Sequence, residues 1–222
     1  MIHRKRGIHR RKMHHGREWH HAAIRRPNIG RLQRPAFWDT HRLTAGAYFV
    51  LTLHRPANVD GAGGFAKLLR AIGQGTRGMP VVFPVHPRSA KTLQSLEGLP
   101  VNLLFVDPQP YLEFNYLVKH SKAVITDSGG ITEESTVMGI PCMTLRDNTE
   151  RPETVTVGTN ELLGTDPAAL KPALDKLFAG EWKPGRIPEL WDGKASDRIV
   201  KALEQLMSAR INVGASLRNP AL

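Results

Sequence analysis

The sequence predicts an α/β fold, a Rossmann-like parallel sheet with helices on both faces. Two patterns support this expectation. Short segments that are apolar along their whole length recur through the chain, and helical segments alternate with them from Tyr48 onward. Strands without a polar side are buried on both faces, and their alternation with helices is typical of a parallel sheet. A chain of 222 residues is long enough for one such domain with a sizeable core.

Five segments have the length and apolar composition of buried strands, and a sixth, shorter one begins with a glutamate. The first, YFVLTLH, ends at a polar pair, His54 and Arg55, and the second, VVFPV, is followed by His86. The predicted strands are 48–54, 81–85, 101–106, 123–126, 141–145 and a shorter one at 161–163.

The segments between the strands have helical periodicity. Apolar residues between 65 and 72 recur at three- and four-residue spacing, which marks one face of an amphipathic helix. Gly139 has the position of a C-terminal cap for a helix at 131–139. The other predicted helices are a short one with Leu93 and Leu96, 111–120, 167–178 and 195–207.

The positive charge of the chain is concentrated at its amino terminus. Of the net charge of +11, residues 1–44 carry +10, and seven of the ten histidines lie there too. We therefore expect three segments: a basic, His- and Arg-rich leader at 1–43, a Rossmann-like ligand-binding domain at 44–207 and a tail at 208–222.

Three interpretations of the leader remain open. A basic arm would bind nucleic acid electrostatically, but few aromatic residues accompany the charges, so a nucleic-acid partner is the weakest prediction. A disordered leader also fits the charge. The third and preferred interpretation is an out-of-frame translation of upstream coding sequence, because the segment is rich in Arg, His and Pro and contains no Ser.

Composition excludes several other classes of protein. The single cysteine, Cys142, rules out an internal disulfide, and its apolar strand predicts inert core packing in a cytoplasmic protein. No run of about 18 apolar residues is present, and the basic amino terminus lacks the apolar segment of a secretory signal. No spacing of His, Cys and acidic residues matches a zinc site, so no metal is predicted.

Polar residues follow almost every predicted strand. Parallel sheets bind ligands in the crevice beyond the carboxyl ends of their strands, so these residues form the candidate site. They are His54, Arg55, His86, Asp107, Gln109, Asp127, Ser128, Arg146 and Arg151.

Ser128, Gly129 and Gly130 come directly after one strand and open a helix. Two glycines let a ligand approach the backbone closely, and the N–H groups at a helix start favour an anion. The same residues also suit any tight turn between a strand and a helix. The segment therefore predicts a phosphate site only in combination with its neighbours.

Those neighbours are two acids and an arginine. Glu133 or Glu134 could accept hydrogen bonds from both hydroxyls of a ribose whose phosphates lie at the turn. Arg151 is the expected countercharge of a diphosphate, since guanidinium binds such oxygens in forked geometry. Its structural alternative is an ion pair with Glu150 or Glu153.

The two strand-end histidines have a functional and a structural interpretation. His54 could donate to a ligand or exchange a proton with it at neutral pH, and His86 could do the same. Taken alone, each is more often a structural residue.

Six segments, in this order, resemble the non-hydrolysing UDP-N-acetylglucosamine 2-epimerases over their carboxyl-terminal half. They are LTLHRPANVD (51–60), VVFPVHPR (81–88), DPQPYLEF (107–114), TDSGGITEE (126–134), LRDNTERPETVTVGTNELLGTD (145–166) and WDGKASDRIV (191–200). The departures are small: Pro56 replaces a common arginine and Thr132 a common glutamine. The resemblance implies the carboxyl-terminal domain of a glycosyltransferase-B type fold.

The resemblance also implies roles for individual residues. His54 would be the catalytic histidine, with Arg55 beside it contacting substrate. Glu134, rather than Glu133, would bind the ribose. Whether His86 serves a second, regulatory nucleotide-sugar site is left open by the sequence. The remaining implied contacts to UDP are Gln109 and Phe114 at the uridine, Ser128, Gly129 and Gly130 at the diphosphate, and Arg151.

The family's reaction removes UDP from the sugar and adds it back, so that carbon 2 inverts; no cofactor is implied. Its amino-terminal domain supplies acid-base carboxylates that we do not find in residues 1–44. We therefore expect a chain that binds UDP or UDP-N-acetylglucosamine but epimerises little by itself. A pure UDP-binding module, a homodimer and a separate chain that supplies the other domain remain alternatives.

Overall fold

The computed structural model describes residues 26–216, with side chains described from residue 29 to residue 208. Contacts divide these residues into two units, Arg26–Pro188 and the segment from Glu189 onward. The first unit contains the whole sheet, whereas the described part of the second contains one long helix, Ala195–Ser216.

The first unit is built on six parallel strands. They are β1 Phe49–Thr52, β2 Val81–Pro84, β3 Leu103–Val106, β4 Ala123–Thr126, β5 Cys142–Thr144 and β6 Asn160–Leu162. Their order in the sheet is β3-β2-β1-β4-β5-β6, and every pairing is parallel. The predicted strands are confirmed to within two residues at each end.

Nine α-helices occur in the described range. They are α1 Phe37–Thr40, α2 Pro56–Val59, α3 Ala62–Gly75, α4 Pro87–Leu93, α5 Tyr111–His120, α6 Gly129–Met138, α7 Pro152–Thr156, α8 Leu170–Phe178 and α9 Ala195–Ser216. Short 3₁₀ helices lie at Arg26–Arg31 and Pro167–Ala169. Sequence analysis missed α1, α2 and α7, because four or five residues are too few to show helical periodicity.

Apolar side chains from alternate positions of β1 to β5 pack on opposite faces of the sheet. Leu51 of β1 belongs to a core cluster with α3 and α8, whereas its neighbour Val50 belongs to a second cluster with α5. This alternation confirms that helices cover both faces. Cys142 is completely buried in the second cluster, and burial raises the pKa of its thiol to about 11.

The compact unit begins before the predicted domain start at residue 44. Trp38 of α1 is buried, and its ring makes edge contacts with Tyr48 and Tyr116 at centroid distances of 5.4 and 5.3 Å. Leu43 belongs to the same core cluster. Residues 26–43 therefore pack with the sheet, while residues 1–25 of the predicted leader lie outside the described residues.

Within residues 26–216, no helix combines the length and apolar character that crossing a membrane requires. The long helix α9 is amphipathic and continues to Ser216, past the predicted start of a tail at residue 208. Near its start, Arg198 pairs with Asp192 at 3.0 Å.

Candidate ligand-binding site

A pocket of about 450 Å³ opens at the carboxyl ends of the central strands. The strand order reverses between β1 and β4, which is where open α/β sheets bind ligands. Five of the residues predicted from sequence line this pocket: His54, His86, Gln109, Phe114 and Ser128.

Asp127, the residue after β4, connects the ends of β1 and β4. It is completely buried, and its carboxylate accepts hydrogen bonds from the backbone N–H groups of His54 (3.1 Å) and Arg55 (2.9 Å). Asn58 donates its side-chain amide to the same carboxylate (3.1 Å) and to the backbone carbonyl of Leu145 (3.0 Å). These bonds fix the loop after β1 against β4 and β5.

The same carboxylate also contacts the imidazole of His54. Its Nδ1 lies 2.9 Å from Oδ1 of Asp127, and 38% of the side chain is exposed. The ring of His86 lies 5.6 Å from that of His54, between centroids. His86 caps α4, since its Nδ1 accepts a hydrogen bond from the backbone N–H of Arg88 at 3.2 Å.

Helix α6 presents its N-terminus at the carboxyl end of β4. Ser128 is the cap residue, but its side chain makes no capping hydrogen bond, and its own N–H donates to Thr126 Oγ1 at 3.0 Å. Gly129 and Gly130 form the first turn of the helix rather than a separate turn before it. A Cβ placed on Gly130 would meet no atom within 4 Å, so the backbone there is accessible to a ligand.

The two neighbouring acids of α6 have different partners. Glu133 is buried and forms an ion pair with Nε of Arg151. Glu134 accepts a hydrogen bond from the hydroxyl of Tyr111 at 2.9 Å. Burial raises the pKa of the Glu134 carboxyl above its usual range, and the negative charge of Glu133 acts in the same direction, whereas the hydrogen bond from Tyr111 opposes it.

Arg151 lies at the N-terminal cap of α7, so it ends a loop and starts a helix. In addition to its pair with Glu133, its Nη1 donates to the backbone carbonyl of Glu150 at 3.2 Å. The carboxylate of Glu150, one of the two partners considered from sequence, instead lies 3.4 Å from Arg146. The pairing of Arg151 with Glu133 was not predicted.

Gln109 and Arg55, two other predicted residues, each donate a hydrogen bond to a backbone carbonyl. Gln109 lines the pocket and donates its amide N–H to the backbone carbonyl of Asp107 at 2.7 Å, which leaves its amide oxygen as an acceptor. The guanidinium of Arg55 donates from Nε to the backbone carbonyl of Asp127 at 3.0 Å. Arg55 therefore supports the same strand ends that Asp127 connects.

Sequence reasoning gave no role to Asn58 or Tyr111. It placed Asp127 among the strand-end residues without a contact, and it considered Glu133 only as an acceptor for ribose hydroxyls. One signal was available for Asp127: an acid directly after a buried strand, in a sheet where a histidine follows another strand. Tyr111 and Asn58 carried no comparable signal, because their partners lie far away in the sequence.

A family model described as UDP-N-acetylglucosamine 2-epimerase matches residues 22–204. The chain belongs to this family. Curated epimerases from Methanocaldococcus jannaschii and Yersinia pestis are 38% and 37% identical to it over 165 and 182 residues, which is 70% and 78% of this chain. Those matches cover only 44% and 46% of the two relatives. This epimerase-family chain thus spans about half the length of the curated relatives it matches.

Solved structures agree with the family assignment. The UDP-GlcNAc 2-epimerase of Neisseria meningitidis, bound to UDP-GlcNAc, aligns with a TM-score of 0.60 at 30% identity, over 71% of this chain and 44% of that one. The Methanocaldococcus jannaschii enzyme in complex with UDP-GlcNAc and UDP aligns with a TM-score of 0.57 at 31% identity, over 83% and 51%. These neighbours share the glycosyltransferase-B type architecture, so the predicted fold is confirmed.

The family match begins at residue 22, inside the segment that sequence analysis assigned to a leader. The compact unit with the sheet begins at Arg26, close to the same position.

Proposed function

We propose that the pocket binds the UDP part of a UDP-sugar and that this chain is the nucleotide-binding half of a UDP-N-acetylglucosamine 2-epimerase. One observation carries the proposal: the accessible N-terminus of α6 and the arginine that pairs with Glu133 of the same helix adjoin the pocket. An anion site next to a partly apolar pocket fits a nucleoside diphosphate.

The following contacts are proposed for the nucleotide. The diphosphate lies at the N–H groups of Gly129 and Gly130 and faces Arg151. The ribose hydroxyls donate to Glu134, which Tyr111 already orients. Uracil packs against Phe114, and its ring N–H donates to the amide oxygen that Gln109 leaves unused.

The sugar would lie toward His54 and His86. Epimerisation breaks the bond between carbon 1 and the β-phosphate oxygen and removes the proton at carbon 2. UDP then adds back to carbon 1 on the face it left, and a proton returns to the opposite face of carbon 2, so that only carbon 2 inverts. No carboxylate is among the residues that line the pocket in the described part of the chain. We therefore propose that this chain supplies His54 and the UDP site, and that carboxylates for carbon 2 come from elsewhere in a complete active site.

Ligand-dependent unfolding tests UDP binding. A ligand that binds only the folded state stabilises it by about 2.7 kcal/mol at 100 times its Kd, so saturating UDP is expected to raise the melting temperature clearly. Uridine, which lacks the phosphates, is the matched control and is expected to give a much smaller shift. Absence of a shift with millimolar UDP would contradict the proposed site.

Incubation of the same sample with UDP-N-acetylglucosamine separates binding from epimerisation. Efficient turnover by this chain alone would contradict the half-site proposal.

The pH dependence of binding tests the role of Glu134. Its pKa is raised in the folded protein, so the carboxylate gains a proton before an ordinary glutamate does as the pH falls. A protonated carboxyl accepts less well from two ribose hydroxyls, and the affinity for UDP-N-acetylglucosamine is expected to fall about fivefold through this range. Calorimetric titrations between neutral and mildly acidic pH measure the change.

Glu134→Gln is the control for that experiment, because it keeps the shape and removes the titration. It is expected to bind weakly with little of this pH dependence. The stability of the protein without ligand depends on pH in the opposite direction. The raised pKa of Glu134 in the folded state contributes stability that is complete at acidic pH and is lost as the pH rises through that pKa. An equal pH dependence of affinity in wild type and Glu134→Gln would refute the ribose contact.

A further inference from the structure

We propose that Asp127 is a positioning residue that holds neutral His54 in the Nδ1–H tautomer and so directs the lone pair of Nε2 to the pocket. The inference deepens the proposed function and rests on it for the ligand that Nε2 meets. The tautomer itself follows from the protein's own contacts.

The donors around Asp127 decide which atom carries the proton. Besides the imidazole, its carboxylate faces the backbone N–H groups of His54 and Arg55 and the side-chain N–H₂ of Asn58, and these groups can only donate. A buried carboxylate among such donors acts as an acceptor. The Nδ1 of His54, 2.9 Å away, must therefore carry the hydrogen.

The same contacts fix the ring in space. Asp127 is completely buried, and Asn58 links its carboxylate to the backbone at the end of β5. Ser128, the cap of α6, is the next residue along the chain. Asp127 thereby sets the position of the imidazole relative to the proposed phosphate site, because one short segment carries both groups.

His86 provides an internal contrast. Its Nδ1 accepts a hydrogen bond from the backbone of Arg88, so the neutral ring carries its hydrogen on Nε2. Both rings line the pocket, 5.6 Å apart. The protein thus offers the ligand one imidazole whose Nε2 accepts and a second whose Nε2 donates.

Long-range ¹H–¹⁵N correlation spectra of the ¹⁵N-labelled chain read the two tautomers directly. Spectra are recorded without nucleotide, above the pH range in which histidine is protonated. His54→Gln and His86→Gln assign the two rings by loss of one signal set each. The expected result is an Nδ1–H pattern for His54 and an Nε2–H pattern for His86. An Nε2–H pattern, or an equal mixture, for His54 in the wild type overturns the proposal.

Asp127→Asn tests the cause. Oδ2 of Asp127 accepts hydrogen bonds from the backbone N–H of Arg55 and the side-chain amide of Asn58. In the variant, the amide oxygen of the new asparagine is therefore expected at the position of Oδ2, and its N–H₂ next to Nδ1 of His54. Nδ1 then accepts, and His54 is expected to switch to the Nε2–H pattern while His86 stays unchanged. Retention of the Nδ1–H pattern in a folded variant overturns the proposal.

If Asp127→Asn does not fold, the spectrum of the wild type alone tests the tautomer assigned to His54. The UDP melting experiment is independent of these spectra: failure of UDP to bind removes the proposed function but leaves the tautomer assignment standing, and a wrong tautomer leaves UDP binding standing.

Discussion

Replacement of Asp127 by alanine is expected to lower the free energy of unfolding by about 3–5 kcal/mol. The substitution removes a completely buried carboxylate and leaves the N–H groups of His54 and Arg55 and the amide of Asn58 without their acceptor. A buried donor that loses its acceptor lowers the stability by more than the net contribution of the hydrogen bond, because the donor stays removed from water and has no new partner. Urea denaturation followed by circular dichroism measures the change.

Two further variants calibrate that measurement. Asn58→Ala removes one donor of the same cluster and is expected to cost about 1–2 kcal/mol. Asp60→Ala removes an exposed aspartate that pairs with Arg88 at 3.0 Å on the surface, and is expected to cost less than about 1 kcal/mol. A loss for Asp127→Ala no larger than that for Asp60→Ala would show that the cluster does not hold the strand ends.

Arg151→Ala is expected to weaken UDP binding about 100-fold, since charge-assisted hydrogen bonds are worth about 1.5–3 kcal/mol. The variant removes the proposed cation at the diphosphate and also removes the ion pair that Arg151 makes with the buried carboxylate of Glu133. Isothermal titration with UDP measures the loss. Lys67→Ala, which removes one positive charge from an exposed position of α3, is the matched control and is expected to bind as the wild type does.

A double variant separates these two causes. In Glu133→Gln/Arg151→Ala the negative charge of Glu133, which repels the proposed diphosphate once Arg151 is absent, is gone, so UDP is expected to bind about fivefold more tightly than to Arg151→Ala alone. Glu133→Gln alone frees the guanidinium from its anchor and is expected to weaken binding by a smaller factor than Arg151→Ala. Wild-type affinity in Arg151→Ala would show that this arginine is only a structural partner of Glu133.

Much of the fold was predictable because its signals are local. Apolar segments identified five of the strands, and the sixth was predicted from a shorter segment that begins with Glu161. Gly139 was predicted as the end of α6, where it adopts the left-handed conformation with φ of 71°. Short helices escaped prediction, and so did the start of the unit at Arg26. Trp38 shows the reason: what makes it a core residue is its contact with Tyr48 and Tyr116, not the composition of the basic segment around it.

The candidate site was predictable as a set of residues but not as a set of contacts. Strand ends in a parallel sheet meet at one edge, so His54, His86, Gln109 and Ser128 could be grouped from sequence, and they line one pocket. The partners of His54 and Arg151 could not be predicted. Asp127 is 73 residues away from His54, and Glu133 is 18 residues away from Arg151, whereas the acids considered for Arg151 were sequence neighbours.

The sequence by itself determined the alternation of strands and helices, the motifs of the epimerase family and the glycines at the start of α6. Only the tertiary structure decided what each charged residue does there. Glu133 and Glu134 are identical and adjacent, but successive residues of an α-helix point about 100° apart. One carboxylate therefore meets Arg151 and the other Tyr111, and this difference depends on how α6 is rotated against elements that are distant in the sequence.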